Sequence, residues 1–212
     1  MNACYTPNWK FVGGNLCLDF VNTVDGRLEQ KVKNSLVFSI SKDKFNGYEE
    51  LVYWSKDAGI LTDIVAKRLI AIAAKKVKES VQTFERALVL RESLYKIFIH
   101  IIKDLAPPEK DVNVLNAECT IARDKQKLIF NSNKFTWIFD SENDELDCML
   151  WPIALSGAEL LLSGDLDRVR QCAGDNCGWL FVDTSKNHSR QWCDMKDCGN
   201  LAKVRRFRKK QK

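Results

Sequence analysis

RQCAGDNCGWLFVDTSKNHSRQWCDMKDCGNLAKVRRFRKK, residues 170–210, holds four of the chain's eight cysteines, spaced Cys172-x4-Cys177-x15-Cys193-x4-Cys198. Zinc takes four ligands in a tetrahedron, and two close pairs on separate turns supply them without strain. Glycine follows each pair, at Gly178 and Gly199. A residue without Cβ lets the chain bend so that backbone N–H groups face the sulfurs. CAGDNCG and CDMKDCG therefore read as two copies of one turn. With sulfur at all four positions no coordination site stays open, so the ion expected is a single structural zinc and not a catalytic one. Four unrelated thiols, or disulfides, are the alternatives; disulfides need an oxidising compartment. His188, in the middle of the linker, is expected at the surface beside Lys186 and Arg190. Some forty residues bury too little surface to be stable alone, so metal binding supplies much of the folding free energy. Trp179, Leu180, Phe181 and Trp192 are the small core expected around the metal.

The tail GNLAKVRRFRKKQK (199–212) has seven Lys or Arg among fourteen residues and no acid. At about 100° per residue, Leu201, Val204 and Phe207 fall within one arc of about 120°. This predicts an amphipathic helix whose apolar stripe packs on the zinc turns and whose cations face outward. Such a helix fits the DNA major groove. Lys203, Arg205, Arg206, Arg208, Lys209 and Lys210, with Lys186 and Arg190 from the linker, are the expected nucleic-acid contacts. The charge distribution agrees: residues 165–212 carry a balance of +6 and the remainder −1. Such asymmetry points to a polyanion. A solvated tail and an anionic membrane surface are the competing readings.

Working outward, the first 164 residues read as mainly helical, giving a mainly α fold: a helical N-terminal domain with a short β-hairpin (1–164), then a small Cys4 treble-cleft-like zinc module ending in a basic helix (165–212). Asn15 to Val24 is apolar and short, and periodicity does not decide between helix and strand. A strand is expected around Ser35 to Ser41. Helices are predicted over Tyr48–Gly59, from Thr62 or Asp63 to about Lys78, over Glu79–Leu105 up to Pro107-Pro108, and over Glu109–Lys125. Lys127–Asn131 and Lys134–Asp140 flank Ser132-Asn133, a two-residue turn between strands. A last helix spans about Glu145 to Leu162, with Pro152 marking its first turn or a kink.

Bulk properties narrow the function. At 212 residues and 45% hydrophobic, the chain holds one medium domain and a small module. Met1 to Phe11 does not read as a secretory signal and no run of about 18 apolar residues occurs, so a cytoplasmic location is expected, with nucleoid association when bound to DNA. Cys4, Cys17, Cys119 and Cys148 are scattered and read as buried small hydrophobes. Only His100 and His188 are present, with no phosphate loop, nucleophile elbow or His-rich motif, so no catalytic residues and no enzyme activity are expected.

Residues 170–210 resemble the CGNR-type zinc finger, through all four cysteines, GWLFVDTSKN, SRQWC and the CGN-x-AKVRR ending. GGNLCLDFVNT near the start and WPIALSGAELLLSGDLDRVRQC resemble the ABATE domain that precedes this finger in bacterial proteins. The resemblance implies a stress-related bacterial transcription regulator whose finger binds DNA. The family's namesake arginine is Leu201 here, so any phosphate or base contact it makes is lost. Asn200 does match, and reads as a helix cap or a DNA contact.

A regulator pairs its DNA-binding module with a domain that senses something. Asp19, Asn22 and Thr23 sit in an apolar stretch and need partners. With Arg91 they line a small-molecule ligand pocket, or else they bond internally and lock the segment onto the bundle. Three functional readings stay open: a DNA-binding regulator, an RNA-binding protein, and a protein-interaction zinc module. A homodimer is compatible with the first.

Overall fold

The computed structural model describes residues 9–32, 35–139 and 145–211, so Cys4 lies outside the described residues. The chain packs as two units: residues 1–46 together with 164–212, and residues 47–163. The units divide at 46/47 and at 163/164, where a single boundary between 164 and 165 was expected. Among the described residues the architecture is mainly α with three two-stranded hairpins.

In the second unit, α2 (Tyr48–Asp57) and α3 (Asp63–Ala73) lead into α4 (Val77–Ile102), α5 (Glu109–Asp124), a hairpin of β3 (Gln126–Asn131) and β4 (Lys134–Phe139), and α6 (Leu150–Leu162). Thr62 caps α3, its hydroxyl accepting from the Val65 N–H at 3.3 Å. The helix stops at Ala73, short of Lys78, because the exposed Lys75 and Lys76 offer no face to bury. Along α4, Ala87, Leu90, Leu94 and Phe98 are fully buried at threes and fours. Arg86 grips both Glu118 oxygens at 3.0 and 2.8 Å and Asp147 at 3.0 Å, tying α4 to α5 and to the approach to α6. A paired fork of this kind is the strong form of ion pair. Ser132 and Asn133 take φ of 48° and 66°, the left-handed pair that a type I′ turn requires. Pro152 stands in the first turn of α6, where its missing N–H is not needed. Arg91 is buried in this unit, its Nε donating to Glu92 at 3.1 Å.

The first unit is built on the N-terminal segment. Asn15 caps α1 (Leu16–Val21), so the ambiguous apolar stretch is a helix. β1 (Val24–Val32) and β2 (Ser35–Asp43) form an antiparallel hairpin in register from Val24↔Asp43 to Val32↔Ser35. β2 was expected, but β1 was not. Val24, Leu28 and Val32 alternate too sparsely among Asp25, Arg27, Glu29 and Lys31 to signal a strand. A 3-10 turn (Leu166–Arg168) then precedes β5 (Val169–Gln171), which pairs with β6 (Leu180–Val182). A π-turn (Met195–Gly199) runs into α7 (Asn200–Lys210).

These pieces are stitched through polar groups. The buried Asn22 side chain donates to the Leu180 carbonyl at 2.8 Å and accepts from the Leu180 N–H at 2.9 Å. The Val182 N–H donates to the Gly13 carbonyl at 2.8 Å, and Trp179 Nε1 to the Val24 carbonyl at 2.6 Å. The N-terminal segment thus satisfies the backbone of β6 that β5 leaves unpaired. Among the described residues, no helix is long and apolar enough to cross a membrane.

Candidate metal centre and nucleic-acid interface

Cys172 and Cys177 bracket the turn between β5 and β6, while Cys193 precedes the π-turn that opens α7 and Cys198 lies within it. Their four sulfurs lie within 4.8 Å of one another. The Cys177–Cys193 and Cys193–Cys198 pairs are each 3.7 Å apart. A tetrahedral zinc with Zn–S of about 2.3 Å requires sulfurs about 3.8 Å apart, so the donor set fits. Backbone N–H groups of Gly174 and Cys193 donate to Cys172 Sγ at 3.4 and 3.3 Å, the supporting shell a thiolate needs. The four cysteines therefore form one structural zinc site.

Hydrogen bonds from the Cys177 and Cys193 thiols, and then from these N–H groups, pull the Cys172 thiol far below the ordinary range. Donating to Cys172 pushes Cys177 and Cys193 up, and burial pushes Cys198 up. Four sulfurs this close cannot all carry charge by themselves; a divalent ion at their centre is what allows four thiolates.

The two cysteine turns are not copies of each other. Gly178 adopts φ +72°, and a Cβ there would stand 2.6 Å from Arg27 Cβ, so both backbone and packing demand glycine. Gly199 has φ −64° and lies in helical backbone. Gly174 packs against the sulfurs, where a Cβ would come within 2.9 Å of Cys198 Sγ and 3.4 Å of Cys172 Sγ. Around the sulfurs pack Trp179 and Phe181, with Trp192 and Val12 at the edge. His188 is exposed with φ 49° and is not among the clustered ligands.

The linker is pinned by Asp183, whose carboxylate accepts from the Ser185 N–H at 2.9 Å and the Arg190 N–H at 3.0 Å. Arg190 turns inward. Its guanidinium lies 4.2 Å from the centre of the Phe181 ring and donates to the carbonyls of Val12, Val182, Trp192 and Cys193. It acts as a strut, whereas Lys186 is exposed. On α7, Lys203, Arg206, Arg208 and Lys209 are exposed; Arg205 pairs with Asp175, and Arg206 lies 6.0 Å over Trp192. Lys210 is the last residue of the helix.

Two expectations for this helix are corrected. Its apolar stripe does not pack on the zinc turns: Leu201, Val204 and Phe207 are 57, 47 and 62% exposed. The helix is held instead through Arg205, paired with Asp175 of the first cysteine turn, and Arg206, which lies over Trp192. Nor does Asn200 cap it. Helical backbone begins at Met195, so the capping oxygen belongs to Asp194, which accepts from the Lys196 N–H at 2.8 Å. Asn200 Nδ2 donates back to the Lys196 carbonyl at 3.0 Å.

Sequence reading missed Lys10, Lys42 and Lys44, which line a cleft of about 490 Å³ beside the metal, with Asp25, Trp179 and Asp197. Lys44 lies 4.5 Å over the Trp179 ring and 3.2 Å from Asp25, and Lys10 pairs with Asp197. No local signal marks these lysines; only the folding of residues 9–46 onto the finger brings them there.

Asp19, Asn22 and Thr23 share the first unit, and all three have partners inside it. Asp19 accepts from the Gly13 N–H at 2.7 Å, Asn22 binds Leu180, and the Thr23 hydroxyl donates to the Phe20 carbonyl at 2.8 Å. Arg91 belongs to the other unit.

Burial pushes the Asp19 carboxyl up to about 6, against the lowering by its backbone N–H donors. The folded state therefore holds this proton more tightly than the unfolded chain does. Its penalty is absent below about pH 4, grows as pH rises through the folded value near 6, and above that amounts to on the order of 2–3 kcal/mol. Replacing Asp19 by Asn keeps an acceptor for Gly13 and removes the titration. The stability difference between the two proteins, from urea unfolding, should change by that amount between pH 4 and 7. A flat difference contradicts the burial argument.

Residues 168–211 match the family model described as CGNR zinc finger. Residues 14–164 match the ABATE model, described as "Putative stress-induced transcription regulator". A search of curated proteins returns no match.

Proposed function

We propose, from the premise that this chain belongs to the ABATE family and carries a CGNR zinc finger, that it regulates transcription by laying α7 in the major groove of duplex DNA. The observation that carries this reading is the exposure of α7 along most of its length, with cations on several sides and none of its apolar stripe buried. Lys203, Arg206, Arg208 and Lys209 neutralise phosphates, and each contact releases counterions. Leu201, Val204 and Phe207 are free to meet thymine methyl groups, the apolar feature of the groove. Zinc supplies no chemistry; it holds the start of α7 on the β5–β6 turn. The exposed Lys42 adds a cation on the N-terminal side, where Lys10 and Lys44 are paired with Asp197 and Asp25. The family description, which covers residues 14–164, supports reading that part of the chain as the one that answers a signal.

A mobility-shift titration on mixed-sequence duplex DNA, run over a salt series, tests this. The zinc-loaded chain should shift the duplex, lose it to a chelator, and weaken steeply with salt. Preferential competition by structured RNA favours the RNA reading, and binding that survives deletion of 166–212 overturns both.

A further inference from the structure

We propose that the β3–β4 hairpin is a homodimerisation arm that pairs with the same hairpin of a second copy. The register sets Leu128 opposite Trp137 and Phe130 opposite Phe135. These four side chains share one face of the ribbon, because strand side chains alternate. They are 53, 61, 61 and 69% exposed, in the order Leu128, Phe130, Trp137 and Phe135. The Phe130 and Phe135 rings touch each other at 4.9 Å between centroids. The base of the hairpin is anchored through Phe139 against Trp151 at 5.7 Å.

A two-stranded ribbon of this size is marginally stable in water and needs further strands or an apolar cover. Among the described residues the sheet consists of β3 and β4, with no further strand on either edge. An exposed aromatic cluster of this extent is a mark of an interaction site.

Charge and area point to a second copy as the occupant. The face carries no charged residue, and Lys127 and Lys134 alternate onto the opposite side, so nothing repels an identical face. A two-by-two array set against itself about a two-fold axis meets the self-complementarity of an isologous interface. Three aromatics and a leucine at these exposures present about 400–600 Å² per copy. That is at least half of the roughly 800 Å² per partner of a standard stable interface, and the adjoining strand edge supplies the rest.

Sedimentation velocity on the full, zinc-loaded chain is the test. The wild type should sediment as a particle of twice the 24.3 kDa chain mass. Phe135→Glu and, separately, Trp137→Glu should weaken self-association at least roughly 30-fold, the loss expected of a central aromatic anchor. Thr136→Lys, on the other face, should leave the dimer intact. Zinc content and circular dichroism establish folding; should either glutamate variant fail them, Leu128→Lys probes the same face. A wild type that stays monomeric up to roughly 100 μM overturns the proposal. So does a dimer that tolerates charge on this face.

Discussion

A Cys177→Ser chain should come off purification without zinc and with two distant parts of its sequence unprotected, residues 169–211 and residues 9–46. The first loss follows from the ligand set. Three thiolates with a serine hydroxyl bind the ion far more weakly than four, and binding to structural sites of this kind is worth roughly 10–16 kcal/mol in small zinc peptides. The second loss is specific to this fold. Gly13, Asn22 and Val24 hold β6 through its backbone and the Trp179 indole, and Arg190 reaches the Val12 carbonyl at 3.1 Å. When the metal leaves, β6 loses its frame, and those buried polar groups lose their partners together. Hydrogen exchange read peptide by peptide should show β1, β2 and α1 opening with the finger, while α4, in the other unit, keeps its protection. Full protection of the 24–43 hairpin in zinc-free protein would mean that the N-terminal segment folds without the finger, and the single-unit description would fail.

Removing four cations from α7 should have the other large effect. With Lys203, Arg206, Arg208 and Lys209 all changed to alanine, affinity for duplex DNA at about 0.15 M salt should fall on the order of 100- to 1000-fold, and the slope of log K against log salt should shrink by roughly four. Alanine favours helix, and these side chains are exposed, so folding and zinc content should be unchanged. Arg205→Ala alone should matter less than one of these, because Asp175 already neutralises that guanidinium. A salt slope equal to that of the wild type would falsify the assignment of α7 as the phosphate-contacting element.

The helix that carries this prediction also shows how far a one-dimensional pattern reaches. Leu201, Val204 and Phe207 repeat as a core-facing stripe does, yet they stay exposed. Periodicity records which residues share a face, but not whether a partner covers that face. The same limit explains the hairpin of residues 126–139. Its strands and turn were legible from Ser132-Asn133 and the flanking aromatics, but the exposure of those aromatics was not. β1 was missed for the opposite reason. Its side chains are mostly polar, and its pairing with β2 and the finger depends on backbone groups that no side-chain pattern reports. Arg190 illustrates the third case: a cation in a basic segment reads as a ligand contact until its donors are traced to four carbonyls.

By itself the sequence determined the metal, its four ligands, the helical character of residues 47–163 and the cationic terminal helix. Each of these follows from ligand spacing, from apolar repeats or from local charge, which are properties of neighbouring residues. Only the tertiary structure decided that residues 9–46 belong with the finger, that Lys10, Lys42 and Lys44 stand beside its metal, and that two apolar faces are left uncovered. Those features depend on backbone hydrogen bonds and on contacts between residues more than a hundred positions apart, which no pattern among neighbouring residues reports.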